Sequence, residues 1–313
     1  MDRIALLLKS YRGDLAYAER MVTSFHRHNA DGLTLFVVVP DEDLAAFTPL
    51  AADTVRLLPE SELSEHLVTE PLGPLRVGYA NQEIVKLAFW ELGLAANYFC
   101  VDSDAVFIAD FGVADFMAEA DVPFTVLVED RELAVEPTYH DRYWQDRQAA
   151  LRRIQDQVGL HDPLVRSCHG HQVFSSTVLR SFKEQFLAPR GWDYKDALAV
   201  APYEFTWYNM WLQKDQTIPI HAREPYAKVF HHEGHHLEYI LRGITVEDIA
   251  RGYLLLVVNS NYSRDLGLMD PHAGKPQALA PYLSYGETAA LVLAKIKDTW
   301  RRRVTARGRR ASP

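Results

Sequence analysis

The chain has 313 residues, 48% hydrophobic and 24% charged, enough to enclose one large α/β core or two smaller ones beneath a solvated surface. A formal net charge of -9 argues against general affinity for nucleic acid, and two cysteines exclude a disulfide framework. The start of the chain lacks the basic, apolar and small-residue pattern of a secretory signal, so a cytoplasmic location is the expectation.

Residues 4–8 form a short apolar run that predicts a strand, closed by Lys9-Ser10-Tyr11-Arg12-Gly13-Asp14. Leu15, Ala18, Met21, Val22 and Phe25 follow at helical spacing. Residues 33–39 predict a second strand, stopped by Pro40, and Asp41-Glu42-Asp43 supplies an acidic start for another helix. A shorter strand is expected over 54–58. Strands alternating with helices predict a mixed, mostly parallel sheet flanked by helices.

A helix over 78–92 carries an apolar stripe of Ile84, Leu87, Ala88 and Leu92, and on it Gln82 and Lys86, four apart, share a face. It leads into an apolar, aromatic run over 97–107 that reads as a buried strand, in which Cys100 serves as a small hydrophobe. That strand ends in two carboxylates, Asp102 and Asp104. Period-two alternation puts both on one side with Ser103 turned away. Two such close anions need a compensating cation or hydrogen-bond donors, and hard oxygen ligands favour Mg²⁺ or Mn²⁺. Ligands of open α/β sheets bind beyond the carboxyl ends of strands, where this pair is expected. The alternative is a pair of surface carboxylates capping the next loop, with Lys86 an ordinary solvated lysine.

Beyond it come a helix after residue 110, a strand over 122–128, an exposed polar helix over 141–158, and a loop entering a strand over 168–176. A helix through Phe182 and Phe186 follows. Residues 203–211 form an aromatic-rich helix. Glu204 on it is a candidate general base, a role that an inverting group transfer needs and a retaining one does not, and Tyr208 lies one turn on. Trp207 and Trp211, also four apart, form either a sugar-stacking face or part of the core. Apolar segments recur at 217–220, 226–230 and 252–258, and a helix is expected over 287–300. The basic run that follows, Arg301 to Arg310, reads as a solvated, disordered tail, with an anionic membrane contact as the alternative.

His232-Glu233-Gly234-His235-His236 satisfies the H-E-x-x-H pattern of zinc hydrolases. On a helix His232 and His236 share a face and Glu233 serves as general base. Gly234 weakens such a helix, and no Gly-x-x-His extension announces a third ligand.

Lys9-Ser10-Tyr11, Gln82 with Lys86, Asp102-Ser103-Asp104, Gly170-His171-Gln172 and the late histidines together resemble a GT-A-fold nucleotide-sugar glycosyltransferase. More closely, the arrangement is similar to a bacterial family of glycosyltransferase-like proteins. The likeness implies a glycosyltransferase domain over 1–262, a C-terminal helical extension over 263–300 and the basic tail over 301–313. It implies that Asp104 contacts Mn²⁺ or Mg²⁺ most directly, that Asp102 is shared between metal and donor, and that either His231 or His232, with His232 preferred, completes the coordination. Lys9, Ser10, Tyr11, Gln82 and Lys86 hold the nucleotide, with UDP-sugar as the favoured donor. Gly170, His171, Gln172 and Tyr208 face the sugar or the acceptor, which is a glycan, lipid or small molecule. Hexosyl transfer is the main expectation. A zinc metallohydrolase and a catalytically inactive sugar-nucleotide-binding module are the alternatives.

Overall fold

Strict alternation along three apolar strands builds the centre of the fold. The computed structural model describes residues 1–127, 137–163, 170–260, 266, 268 and 284–310. In it β1 (Ala5–Lys9), β2 (Leu35–Val39), β3 (Val55–Pro59) and β4 (Asn97–Val101) lie parallel in the order β3-β2-β1-β4. Every residue of β1, β2 and β4 is buried, as parallel strands covered on both faces require. Side chains alternate between two cores. Ala5, Leu7, Phe36, Val38, Tyr98 and Cys100 enter one, while Leu6, Leu8, Leu35, Val37, Phe99 and Val101 enter the other. Burial pushes the Cys100 thiol up, as befits a small core hydrophobe.

The Leu6 face is covered by α1 (Leu15–His28) and α2 (Leu44–Phe47), which contribute Met21, Phe25 and Phe47. The Leu7 face is covered by α3 (Val77–Ala88) through Ile84 and Leu87. The helix expected after residue 110 is a single turn, α4 (Val113–Phe116), whereas the polar helix is longer than expected, α5 (Pro137–Val158). Next come α6 (Ser176–Ser181), running into a π-helical turn at Phe182–Leu187, then α7 (Tyr194–Val200) and α8 (Glu204–Asp215). Residues 204–213 of α8 are all buried, the mark of an interior helix. Trp207 and Trp211 belong to the core, donating their indole N–H groups to Ala201 O and Ser181 Oγ.

The strand expected to end at the two carboxylates does end there, but the pair lies in a turn rather than on the strand. After Val101 the chain turns through residues 102–104, Ala105 N donating to Asp102 O at 3.1 Å, and β5 (Ala105–Phe107) enters another sheet. Two carboxylates around a serine cannot continue a strand buried on both faces, and Asp suits the turn instead. Of the remaining strands, β6 (Phe124–Val126) pairs in parallel with β8 (His221–Arg223), and β7 (Val173–Ser175) adds antiparallel to the free edge of β4. β9 (Ala227–Phe230) and β10 (Leu255–Val258) complete the sheet of β5, in the order β5-β10-β9. Val128, Cys168 and His169 lie outside the described residues, as does most of the segment from 263 to 283.

The chain divides into two compact units, residues 1–229 with 252–257, and residues 230–251 with 258–313. The second contains α9 (Glu233–Arg242), α10 (Val246–Ala250) and α11 (Tyr285–Arg310). α11 takes in the basic run through Arg310, since Arg is a good helix former and suits a helix C-terminus. Among the described residues no helix is long and apolar enough to cross a membrane.

Candidate functional site

Between β1 and β4 the strand order reverses: β2 and β3 build outward on one side of β1, and β4 lies on the other. Such a switch point opens a crevice at the carboxyl ends of the strands. The Lys9-Ser10-Tyr11 loop leaves β1 there and the Asp102–Asp104 turn leaves β4. Buried Ser10 and Ser103 join the two exits, Oγ to Oγ at 2.9 Å, so Ser103 is a brace between loops. Asp102 and Asp104 are both half-buried. Tyr11 is exposed, and its ring lies so close to Gly13 that a Cβ there would stand 2.4 Å from it. A side chain at position 13 would therefore have to displace the exposed Tyr11 ring. Asp14 completes the rim. Its carboxyl is raised first by partial burial and then by the charge of Asp102, a neighbour the sequence did not announce.

The turn is anchored from behind by a buried chain of charges. Lys86, in the last turn of α3, has Nζ 2.9 Å from Glu204 Oε1, 3.2 Å from Asp102 Oδ1 and 4.9 Å from the centre of the Phe205 ring. Burial alone would lower the Lys86 pKa, but Asp102, Glu204 and Glu83 outweigh it and hold it well above the usual lysine value. Asp102 shows the complement. Burial would raise its carboxyl, yet Lys86, then His171 and Gln82, keep it below the ordinary range. Gln82 Nε2 lies 3.4 Å from Oδ1 and His171 Nε2 3.6 Å from Oδ2. Glu83 ends the chain. Its carboxylate oxygen accepts from Glu204 N at 3.4 Å, and burial followed by the charge of Glu204 pushes its carboxyl well up.

The other predicted site residues are placed as follows. Lys9 is buried, its Nζ turned to Ser10 O at 2.9 Å and Glu60 Oε2 at 3.5 Å. Glu204 is buried at the start of α8 with Oε1 committed to Lys86. Tyr208 is buried too: its ring stacks on Phe174, 4.5 Å between centres, and its hydroxyl oxygen accepts from Ser175 N at 3.0 Å. Gly170 approaches the Phe205 ring, where a Cβ would meet it at 3.5 Å. His171 takes a left-handed φ of 57°, unusual for a residue with a Cβ, and points its ring at Asp102. Gln172 is fully buried, and its carbonyl oxygen accepts from Cys100 N, extending the β4–β7 pairing.

His232 lies in the second unit, outside α9, as its N-cap; Nδ1 accepts from His235 N at 3.2 Å. His236 is on the helix and stacks on Phe230, 4.6 Å between ring centres. The helical H-E-x-x-H face therefore does not form. Among the described residues His232, Glu233 and His236 do not bring three ligand atoms together.

The family described as "Family of unknown function (DUF6492)" matches residues 4–235. No curated protein matches the chain. Among solved structures the chain is similar to mouse xyloside xylosyltransferase 1 in its apo form, with a TM-score of 0.46 and 12% identity over 84% of this chain and 99% of that one.

Proposed function

The chain belongs to the DUF6492 family, and for this member we propose a metal-dependent glycosyltransferase that moves a sugar from a nucleoside diphosphate, UDP-sugar favoured, to an acceptor hydroxyl. One observation carries this reading. A turn with two half-buried carboxylates closes β4 at the strand-order reversal, beside the loop that leaves β1. The donor set fits Mn²⁺ or Mg²⁺, because Asp102 and Asp104 offer hard oxygens and leave room for water and phosphate oxygens. Bound there, the ion supplies positive charge to a departing diphosphate.

The protein's own residues do the positioning. Lys86 neutralises and fixes Asp102, with Gln82 and His171 on its two oxygens, so this carboxylate is oriented before any ligand arrives. Glu204 and Glu83 hold Lys86; Glu204 is assigned to that anchoring rather than to proton abstraction, which requires reach to the acceptor. The exposed Tyr11 ring is the stacking surface for the base. Exposed Val292, Leu293, Ile296 and Trp300 on α11, next to its run of arginines, support peripheral contact with an anionic membrane.

Thermal unfolding with UDP and Mn²⁺ tests the reading. The midpoint should rise by a few degrees only when both are present, because binding to the native state adds stability. Asp104→Ala should abolish that rise and leave the ligand-free midpoint close to wild type. The absence of a metal-dependent shift with every nucleoside diphosphate tried would sink the proposal.

A further inference from the structure

Away from the strand-order reversal, three side chains form a cluster that the donor reading does not use. Glu65 and His66 follow the 3₁₀ turn Glu60–Leu63, and Glu91 sits in the 3₁₀ turn Phe89–Leu92 that prolongs α3. The His66 side chain is only 9% exposed. Its Nε2 stands 3.3 Å from Glu65 Oε1 and 3.3 Å from Glu91 Oε2, so one imidazole nitrogen and two carboxylate oxygens converge on one point. Two ligands about 2.1 Å from a tetrahedral ion are themselves roughly 3.4 Å apart, which is close to the separation found here.

We propose that Glu65, His66 and Glu91 form a divalent-cation site, with zinc the ion best suited to one imidazole and two carboxylates. The remaining ligand position belongs to water, since the Glu65 side chain is 79% exposed and keeps the cluster open to solvent. Surrounding groups prepare the ligands. The Tyr194 hydroxyl donates to Glu91 Oε1 at 2.7 Å, and the Tyr194 ring meets His66 edge-on at 5.3 Å, fixing both. Lys183 Nζ contacts Glu91 Oε2 and is the ion's competitor; its side chain is 38% exposed and can swing into water.

The site has a structural consequence. The segment carrying Glu65 and His66 is already tied to α3 by Asn81, whose side chain bonds both N and O of Val68. A cation bridging that segment to Glu91 adds a second tie, at the far end of the helix whose Gln82 and Lys86 hold Asp102.

Calorimetric titration of the metal-stripped full-length protein with Zn²⁺, without nucleotide, tests this. Wild type should bind at this site, and Asp104→Ala should bind equally well, which separates the cluster from the donor site. Glu65→Gln, exposed and safe for folding, and His66→Gln should each weaken binding by about tenfold or more, and Lys183→Met should tighten it. Zinc uptake unchanged in both Glu65→Gln and His66→Gln, or no uptake by wild type, would show that the cluster is only a histidine ion pair and overturn the proposal.

Discussion

Lys9 and Lys86 are both buried lysines at the edge of the same crevice, and their surroundings have opposite effects. Lys9 has one close carboxylate, Glu60; burial outweighs that attraction and lowers its pKa, while burial likewise raises the carboxyl of Glu60. Lys86 has Asp102 and Glu204 within 3.2 Å and Glu83 behind them, and its pKa rises despite complete enclosure. A buried ammonium is held as a charge when the carboxylates around it outweigh its desolvation. The two lysines thus separate a pair that the fold merely tolerates from a network on which the geometry of the site depends.

Removing the network's cation should have the largest effect. Lys86→Met leaves Asp102 and Glu204 facing each other across an apolar side chain, and breaking a buried pair in this way costs roughly 3–5 kcal/mol. Urea unfolding should show that loss as a lower midpoint at unchanged slope. Adding Glu204→Gln to it should recover part of the stability, because the stranded carboxylate is then gone. If Lys86→Met proved no more harmful than the corresponding change at Lys9, the contrast drawn here would fail.

A smaller, pH-dependent effect belongs to Glu83. Its carboxyl is raised well above the usual range, first by burial and then by Glu204, so the folded chain keeps a proton that the unfolded chain releases above its ordinary carboxyl pKa. The native state then binds more protons, and this group's contribution to stability falls as pH rises, by at most about 1.4 kcal/mol per pH unit. Glu83→Gln keeps the shape and a donor to Glu204 but has no proton to lose. Between pH 5 and 8 the unfolding midpoint of wild type should fall relative to that variant. Parallel curves would mean that Glu83 is ionised in the fold.

How much of this was legible in the sequence follows from range and period. β1, β2 and β3 were readable because apolar runs broken by Pro and Gly carry their own boundaries. Gln82 and Lys86 were readable because helical spacing puts them on one face. Glu83, between them, looked like an ordinary polar residue; its burial depends on Glu204, 121 positions later. The strand end at Asp102 was readable from the two carboxylates, but the entry of β5 into another sheet was not, because β4 and β5 are both apolar and only their pairing separates them. At His232 the helical H-E-x-x-H reading was only an alternative, already weakened by Gly234, and the ring caps α9 from outside, so its spacing to His236 does not put the two on one face. The cluster at Glu65, His66 and Glu91 had no motif, since its third member is 25 positions away across α3.

The smallest effect is expected at Lys9, and it is the sharper half of the comparison. Its lowered pKa means that the folded state binds fewer protons than the unfolded chain just below the ordinary lysine value, so stability rises with pH there and carries a cost at neutral pH. Glu60 adds a cost of the other sign, its raised carboxyl favouring low pH. Replacing both charges at once, Lys9→Met with Glu60→Gln, removes both costs along with the attraction between the pair. Such replacement of a buried pair by neutral groups is close to neutral or stabilising, so unfolding free energy should stay within about 1 kcal/mol of wild type. Lys9→Met alone strands Glu60 and should be worse than the double variant. A double variant as unstable as Lys86→Met would show that the Lys9 pair, too, is held by more than its one carboxylate.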